Sequence, residues 1–363
     1  MDKQVYNFSA GPACLAKPVL LAVKDAALDY NETGISLLAM SHRSKPVVDL
    51  FDETTDRLIS LLNIPDNYRI LWLQGGASLQ FSMVPMNLLN ENEIADYVDT
   101  GAWSSKALKE AKNFGSVNVA GSSENNNYIF IPMDLEQNPD SVYLHITTNN
   151  TIYGTQYHVT PEIINKDGFL VADMSSDILS MPINVAEFGL IYAGAQKNMG
   201  PAGVTLVIIR EDLIGRAERR IPMMLDYATH VSKESMFNTP PVFAVFMVNE
   251  TLKWMESIGG VNAMAEKNRI KAKKLYDEIE RNTIFISPVN PGDRSLMNVP
   301  FIFARDDLDE NEFLSFCNER NLVSLKGHRS VGGFRASIYN AMPETGLDAL
   351  ITAMQEYEQN HKS

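Results

Sequence analysis

One lysine of this sequence stands at the joint between two apolar runs. In "YAGAQKNMGPAGVTLVII", the run over 189–195 stops at Gln196-Lys197, a glycine-containing loop follows, and a second apolar run covers 204–209. Apolar and glycine-rich flanks predict that the Lys197 side chain points into a cleft. Burial disfavours the charged form of a lysine, and the neutral amine is a nucleophile. Lys197 is therefore a candidate catalytic residue.

Four further features lie where other predicted strands end. Asp173 closes the run "GFLVADMSS", residues 76–78 open a helix after "RILWL", Trp103 follows "DTGAW", and Thr151 follows "VYLHIT". Each has an ordinary structural interpretation alone: a helix cap for the aspartate, a core position for the tryptophan. Together they supply a phosphate cradle at a helix start, a stacking ring, a hydroxyl, an acidic partner and an amine. Pyridoxal 5′-phosphate requires this set.

The chain alternates short apolar runs with segments of helical period over some 200 residues. Such alternation predicts an α/β fold with a parallel sheet covered on both faces, whose ligands bind at the carboxyl ends of the strands. One helix is predicted over "SSKALKEAKNFG", capped by serine and closed by Gly115. The pattern changes near Gly259-Gly260, after which we expect a smaller α+β domain.

Composition restricts the partners. The chain has 363 residues, 31 Lys+Arg against 45 Asp+Glu, and a formal net charge of −14. Two domains are the natural expectation at this length. An acidic balance argues against nucleic acid or an anionic membrane as partner, so an anionic substrate would need locally gathered cations.

Targeting and metal signals are missing from the sequence. It shows neither a signal peptide nor an apolar run long enough to span a membrane. Cys14 and Cys317 are far apart in sequence, which fits neither a disulfide scaffold nor a metal site. Six scattered histidines lack ligand spacing, so we expect no metal. These features predict a soluble, cytoplasmic protein.

Several motifs together resemble one family from end to end. They are "YNFSAGPA", "SHRSK", "GGASLQF", "DTGAWSSKALKEAK", "NTIYGTQY", "VADMSSDILS", "YAGAQKNMGPAGVT", "MFNTPPVFAVF" and "GHRSVGGFRASIYNAMP". The sequence resembles the phosphoserine aminotransferases, which are class V aminotransferases of the pyridoxal-phosphate fold type I. The resemblance implies a large domain over 17–257 with a mainly parallel seven-stranded sheet, and a small domain over 258–363. Residues 1–16 would pack with the small domain.

The resemblance also implies roles around the cofactor. Lys197 would be the Schiff-base lysine and the general base, and Asp173 would bind the pyridinium nitrogen. Trp103 would stack on the ring, and Thr151 would hydrogen-bond its hydroxyl side. The phosphate would be held by Ala77 and Ser78 together with Gly76, joined by Gln196. Asn238 and Thr239 would reach the phosphate from the other subunit of a homodimer with shared active sites.

Cations would recognise the substrate. Arg335 matches the family's α-carboxylate arginine, a bidentate partner. The two pairs His42-Arg43 and His328-Arg329 match its site for the far anion. Some members carry arginine where this chain has Ser78, so the far-anion site would hold one cation fewer here.

These residues imply transamination between O-phospho-L-serine and 2-oxoglutarate, giving 3-phosphohydroxypyruvate and L-glutamate. The physiological direction would be the reverse, in serine biosynthesis. The 4-phosphohydroxy-L-threonine step of pyridoxine synthesis stays open as a second activity. Its substrate differs by one hydroxymethylene unit, which pockets discriminate by only about 1–3 kcal/mol.

Three alternatives compete with this interpretation. A cysteine desulfurase needs a thiolate on a mobile loop, whereas Cys14 lies near the N-terminus and Cys317 in a predicted helix. An alanine–glyoxylate type of aminotransferase has no use for two His-Arg pairs. A non-catalytic acidic dimer would have no need of a lysine, an aspartate and a tryptophan at strand ends, and it would lack the cofactor's colour.

Overall fold

The computed structural model describes residues 4–361. Of the expected N-terminal segment and small domain, residues 1–3 and 362–363 lie outside the described residues. The first half contains β1 (Tyr6–Asn7), α1 (Lys17–Ala26), α2 (Lys45–Leu62), β2 (Tyr68–Leu73), α3 (Gly76–Leu88), β3 (Ile94–Asp99), α4 (Ala102–Ala111), β4 (Ser116–Ser122), β5 (Ser141–Thr147) and β6 (Phe169–Asp173). The rest contains β7 (Phe188–Gly194), β8 (Thr205–Arg210), α5 (Tyr227–Val231), α6 (Val242–Ser257), α7 (Gly260–Arg281), β9 (Phe285–Ile286), β10 (Asn298–Phe303), α8 (Glu310–Glu319), β11 (Leu322–Val323), β12 (Phe334–Ser337) and α9 (Glu344–Asn360).

The largest sheet has seven strands in the order β2-β8-β7-β6-β5-β3-β4. All its neighbours pair in parallel except β8, which is antiparallel to both β2 and β7. Strands β6 and β7 are buried along their whole length, which explains why they read as unbroken apolar runs. The prediction of an α/β fold with a mainly parallel seven-stranded sheet is confirmed.

Two hydrophobic clusters cover the faces of this sheet. One includes side chains of α2 and α6, and the other includes side chains of α3 and α4. The carboxyl ends of β5, β6 and β7 lie side by side, because Thr147 pairs with Asp173 and Asp173 pairs with Tyr192. The loops after these three strands therefore leave the sheet at one edge.

A third hydrophobic cluster is built by the C-terminal part of the chain. Strand β10 pairs antiparallel with β9 and β12, and helices α7, α8 and α9 contribute to the same cluster. Phe285 and Phe313 lie at its centre, with ring centroids 4.9 Å apart. Strand β1 pairs in parallel with β11, so the N-terminal segment joins this part. The domain boundaries at residues 16 and 257 stay a prediction.

Helix α4 begins earlier than the sequence predicted. Gly101 is the N-cap, and Ser104 is the third residue of the helix instead of its cap. The Ser104 hydroxyl accepts hydrogen bonds from the backbone N–H groups of Thr100 and Gly101, both at 2.9 Å. The helix ends at Ala111, four residues before the predicted stop at Gly115. The prediction was wrong because Ser104 lies in the first turn and accepts from the N–H of the N-cap residue, Gly101, and of Thr100 before it.

None of the helices between residues 4 and 361 is long and apolar enough to cross a membrane.

A buried lysine fixes the loop that follows β12. Lys271 on α7 is 2% exposed and donates to the carbonyls of Ile338 at 2.9 Å, Tyr339 at 2.7 Å and Met342 at 3.4 Å. Burial lowers the pKa of Lys271 to about 8. The three hydrogen bonds hold the end of β12, and therefore Arg335, against α7.

We predict that Lys271→Met lowers the free energy of unfolding by about 1–3 kcal/mol, because buried carbonyls lose their donor. Urea unfolding measures this loss. Lys267→Met is the matched control, since Lys267 is exposed one turn earlier on the same helix and should change stability by less than about 0.5 kcal/mol. Equal stability of the two variants would contradict the clamping role.

Candidate active site

Asp173 ends β6 with only one of its carboxylate oxygens engaged. The backbone N–H of Ser175 donates to Oδ1 at 2.9 Å, and the Ser175 hydroxyl donates to the same atom at 2.6 Å. Among the described residues no hydrogen bond reaches Oδ2. Burial raises the pKa of Asp173, while the Lys197 charge and the Ser175 donors act in the opposite direction. Oδ2 is therefore free to accept from a cationic donor, which would hold this carboxyl ionised.

Lys197 lies on the loop between β7 and β8, at the same edge. Burial lowers the pKa of its ammonium group, Asp173 opposes this shift, and Arg335 reinforces it. Lys197 Nζ is 5.5 Å from the ring centroid of Trp103. The lysine is thus held near an acid and an aromatic face, with its neutral form favoured by desolvation.

A chain of hydrogen bonds joins Trp103, Thr151 and Arg335. The Trp103 indole N–H donates to Thr151 Oγ1 at 3.0 Å, and Arg335 donates to the Thr151 carbonyl at 2.9 Å. Because Thr151 Oγ1 already accepts, its own O–H remains available to donate to a ligand. Arg335 Nε is buried without a partner in the described chain. This leaves the guanidinium with donor capacity directed at a ligand.

The start of α3 has the form of an anion cradle. Gly75 is the N-cap with φ +88°, and a Cβ there would lie 2.5 Å from Leu79 Cδ2, so only glycine fits. The first hydrogen bond of the helix runs from the Leu79 N–H to the Gly75 carbonyl at 3.3 Å. In the described chain the N–H groups of Gly76, Ala77 and Ser78 make no hydrogen bond. Free N–H groups at the start of a 13-residue helix bind phosphate well.

The N-terminal segment covers Lys197, which sequence reasoning missed. The Ala13 N–H donates to the Gln196 carbonyl at 2.8 Å, and a Cβ on Gly11 would lie 3.4 Å from Lys197 Cγ. The Tyr339 hydroxyl donates to the Ala10 carbonyl at 2.7 Å. The only sequence feature in this segment was the motif "YNFSAGPA". It contributed to the resemblance to the family but did not indicate a contact with Lys197.

The far-anion residues fall into two groups. His328 lies on the turn before β12, where the Gly327 N–H donates to the Gly333 carbonyl at 2.8 Å, and burial, followed by the charges of Arg335, Arg329 and Lys106, lowers the pKa of its imidazole. His42 and Arg43 lie on the turn before α2, and no contact within the described chain joins them to Lys197. His42 Nε2 is buried without a partner in the described chain.

Asn238 and Thr239 likewise do not reach Lys197 within one chain. Gln74 Nε2 donates to the Thr239 carbonyl at 3.1 Å, so this segment lies beside the end of β2. The arrangement is compatible with a site completed by a second copy.

The residues brought together fit pyridoxal 5′-phosphate. Within the described chain Asp173 Oδ2 receives no hydrogen bond, the N–H groups in the first turn of α3 have no acceptor, and the Trp103 ring lies beside the Lys197 amine. Each feature matches one part of the cofactor: a protonated ring nitrogen, a phosphate and a flat ring.

Comparison with known proteins gives the same answer. Residues 5–350 match the sequence model of the class-V aminotransferases. The chain belongs to this family. It is similar to a phosphoserine aminotransferase of Bacillus thuringiensis subsp. konkukian, 52% identical over 358 residues, which are 98% of this chain and 99% of that one. The resemblance predicted from the motifs is confirmed.

Solved structures agree with this similarity. The phosphoserine aminotransferase of Bacillus circulans subsp. alkalophilus has a TM-score of 0.95 at 46% identity, covering 98% of this chain and 99% of its own. A phosphoserine aminotransferase of Trichomonas vaginalis with pyridoxal phosphate bound has a TM-score of 0.92 at 40% identity. That match covers 97% of this chain and 100% of the other.

Three buried asparagines, which sequence reasoning also missed, tie the lysine loop to the C-terminal part. Asn198 Oδ1 accepts from the Asn340 backbone N–H at 3.1 Å, and Asn198 Nδ2 donates to the Ser176 carbonyl at 2.9 Å. Asn268 Nδ2 donates to Asn340 Oδ1 at 2.8 Å, and Asn340 Nδ2 donates to the Leu179 carbonyl at 3.1 Å. We call Asn198, Asn268 and Asn340 the amide clamp. It connects the segments that follow Lys197, Asp173 and Arg335.

We predict that Asn340→Ala lowers the free energy of unfolding by about 1–3 kcal/mol, because it leaves buried partners of the amide clamp unpaired. Urea unfolding measures the change. Asn318→Ala is the control, since Asn318 is exposed on α8. If both variants unfolded like the parent protein, the clamp would contribute nothing to stability.

Proposed function

We propose that this chain transfers an amino group between O-phospho-L-serine and 2-oxoglutarate, giving 3-phosphohydroxypyruvate and L-glutamate. The observation that carries the proposal is the cluster of Lys197, Asp173, Trp103, Thr151 and Arg335 at one edge of the sheet. The names of the full-length relatives support the substrate. In the cell we expect the reverse direction, toward serine, in the cytoplasm.

Pyridoxal phosphate, when bound, supplies an electron sink that stabilises negative charge at the substrate Cα. The residues of the chain hold and orient it. Asp173 Oδ2 would accept from the ring nitrogen and keep it protonated, since a buried carboxylate favours a cationic partner. Trp103 would stack on the ring, and Thr151 would donate its free O–H to the ring's hydroxyl side. The N–H groups at the start of α3, together with Gln196, would hold the phosphate.

Lys197 would both bond to the cofactor and carry the proton. Desolvation lowers the pKa of its amine, so the neutral form that can accept a proton is more populated than in water. A base of this kind would move the proton between the substrate Cα and the cofactor.

Arg335 binds the α-carboxylate of the substrate. The Thr151 carbonyl takes one N–H and fixes the guanidinium plane, and the remaining N–H groups can form a bidentate pair with a carboxylate. His328 and Arg329 lie on the same side and attract the far anion, which is a phosphate in one substrate and a carboxylate in the other. His42 and Arg43 would complete that site.

The active form is a homodimer in which Asn238 and Thr239 of each chain reach the phosphate of the other. An apolar cleft of about 460 Å³ adjoins Thr239 and is lined by Leu38, Met40 and Phe243. Leu38 is 66% exposed in the single chain. Exposed apolar surface next to two polar site residues favours burial against a second copy.

We expect Lys197→Ala to abolish transamination of phosphoserine with 2-oxoglutarate, because both the covalent link and the proton carrier are lost. The visible absorbance of the holoenzyme should disappear, while circular dichroism shows an intact fold. Lys112→Ala, an exposed lysine at the end of α4, serves as control. Near-normal activity of the Lys197 variant would refute the central assignment.

The shared site can be tested by mixing two inactive chains. A Lys197→Ala chain and an Asn238→Ala/Thr239→Ala chain should together form heterodimers with one site that retains all native residues. After verified subunit exchange, activity should recover to about one quarter of the parent protein, since half of the dimers are mixed and each has one working site. No recovery would favour a site built within one chain.

A further inference from the structure

Lys106 is an exposed lysine on α4 that turns away from its helical partner. Glu110 lies four residues later, where an ion pair along the helix would be ordinary, but the order Lys-then-Glu is the weaker one. Glu110 instead accepts from Ser82 Oγ at 3.1 Å. Lys106 Nζ lies 4.4 Å from the ring centroid of Trp103, three residues toward the helix start. No carboxylate lies within ion-pair distance of Lys106 in the described chain.

This orientation brings the Lys106 ammonium group to the candidate active site. Lys197 Nζ is 5.5 Å from the same Trp103 ring centroid, so both amines lie around one indole. The charge of Lys106 also acts on His328, together with Arg329 and Arg335. The Lys106 ammonium group on α4 therefore lies near the turn before β12, which carries His328 and Arg329, and the nearby Glu110 accepts from Ser82 of α3. Glu310 also lies near this turn, where its Oε1 accepts from the Gly333 N–H at 2.8 Å. Cations that make no ion pair within the described chain can attract an anionic ligand.

The contact between α3 and α4 indicates which residue of α3 corresponds in position to Lys106 of α4. Ser82 of α3 meets Glu110 of α4. Ser78 lies one helical turn, about 5.4 Å, before Ser82, and Lys106 lies one turn before Glu110. Strands β2 and β3, which precede these helices, run in the same direction, because β8 is antiparallel to both β2 and β7 and the strands from β7 to β3 are parallel. The two helices therefore begin at the same edge of the sheet, and Ser78 and Lys106 occupy corresponding positions near their starts.

We propose that Lys106 determines specificity by binding the far anion of the substrate, the phosphate monoester or the distal carboxylate. This inference rests on the proposed function. A lysine suits the task, because its compact charge can follow anions of two different shapes without a fixed fork geometry.

Three amino donors of different charge test the proposal. Half-reactions of the holoenzyme with phosphoserine, glutamate and alanine are followed in single turnovers, giving a half-saturation concentration and a maximal rate for each. Inorganic phosphate is used separately as a competitor, which reports anion binding without turnover. The variants are Lys106→Met, which keeps the apolar stem over Trp103, and Lys106→Arg, which keeps the charge. Lys109→Met is the matched control, because Lys109 is exposed on the same helix.

Lys106→Met should raise the half-saturation concentration for phosphoserine about fivefold, the size expected for a partly exposed ion pair. The inhibition constant of inorganic phosphate should rise by a similar factor. Glutamate, with a single negative charge at its far end, should lose about twofold. Alanine, the maximal rates and the absorbance of the holoenzyme should not change. Lys106→Arg should restore phosphoserine binding, and Lys109→Met should behave like the parent protein.

Other outcomes would overturn the proposal in recognisable ways. An equal loss for alanine, or an altered absorbance of the holoenzyme, would show that Lys106 supports Trp103 and not the substrate. If the parent protein saturates normally with phosphoserine, and Lys106→Met binds phosphoserine and phosphate equally well, the role of Lys106 is refuted. The proposed function would then be unaffected. If the parent protein itself did not react with phosphoserine, both the proposed function and this inference would be refuted.

Discussion

The placement of Asp173 and Lys197 at one buried edge is the constraint on which the rest of the site depends. Removing either charge from water is costly, and burial accordingly raises the pKa of Asp173 and lowers the pKa of Lys197. Their mutual attraction offsets part of that cost in both groups. The pair is useful because neither charge is fully satisfied. Asp173 keeps one oxygen free for a cation, and Lys197 keeps its neutral amine accessible.

Such an unsatisfied pair needs a rigid surrounding, and the fold provides it through buried polar contacts. Ser175 holds one oxygen of Asp173, and the amide clamp joins the lysine loop to the segment carrying Arg335. Asp177 extends this set, because Thr148 donates to it at 2.6 Å and Gln156 at 3.2 Å. Burial raises the pKa of Asp177 to about 7. Most polar atoms of this network are paired, although Asn268 Oδ1 is buried without a partner in the described chain. Paired buried hydrogen bonds favour one arrangement, which a positioned amine requires.

The sequence predicted those features that depend on local pattern. Strands β6 and β7 were found because burial on both faces leaves mainly apolar runs, and Lys197 was found because it lies between two such runs. The start of α4 was misplaced, because Ser104 lies inside the first turn and accepts from the N–H groups of Thr100 and Gly101. The amide clamp could not be predicted, since its members are 70 or more residues apart and an asparagine has no distinctive pattern. The roles proposed for Asn238 and Thr239 involve a second chain, and a local sequence pattern carries no information about contacts between chains.

The distribution of charge explains how an acidic protein can select an anionic substrate. The chain carries a net charge of −14, so its long-range field repels anions. At a Debye length of about 8 Å in physiological salt, distant carboxylates are largely screened, and local cations dominate within the cleft. Those cations are effective only if the chain's own acids do not neutralise them. Glu110, the acid nearest to Lys106 in the helical register, is held by Ser82, and Arg335 is held by a backbone carbonyl instead of a carboxylate. The positive charge at the site therefore remains available to bind an anionic substrate.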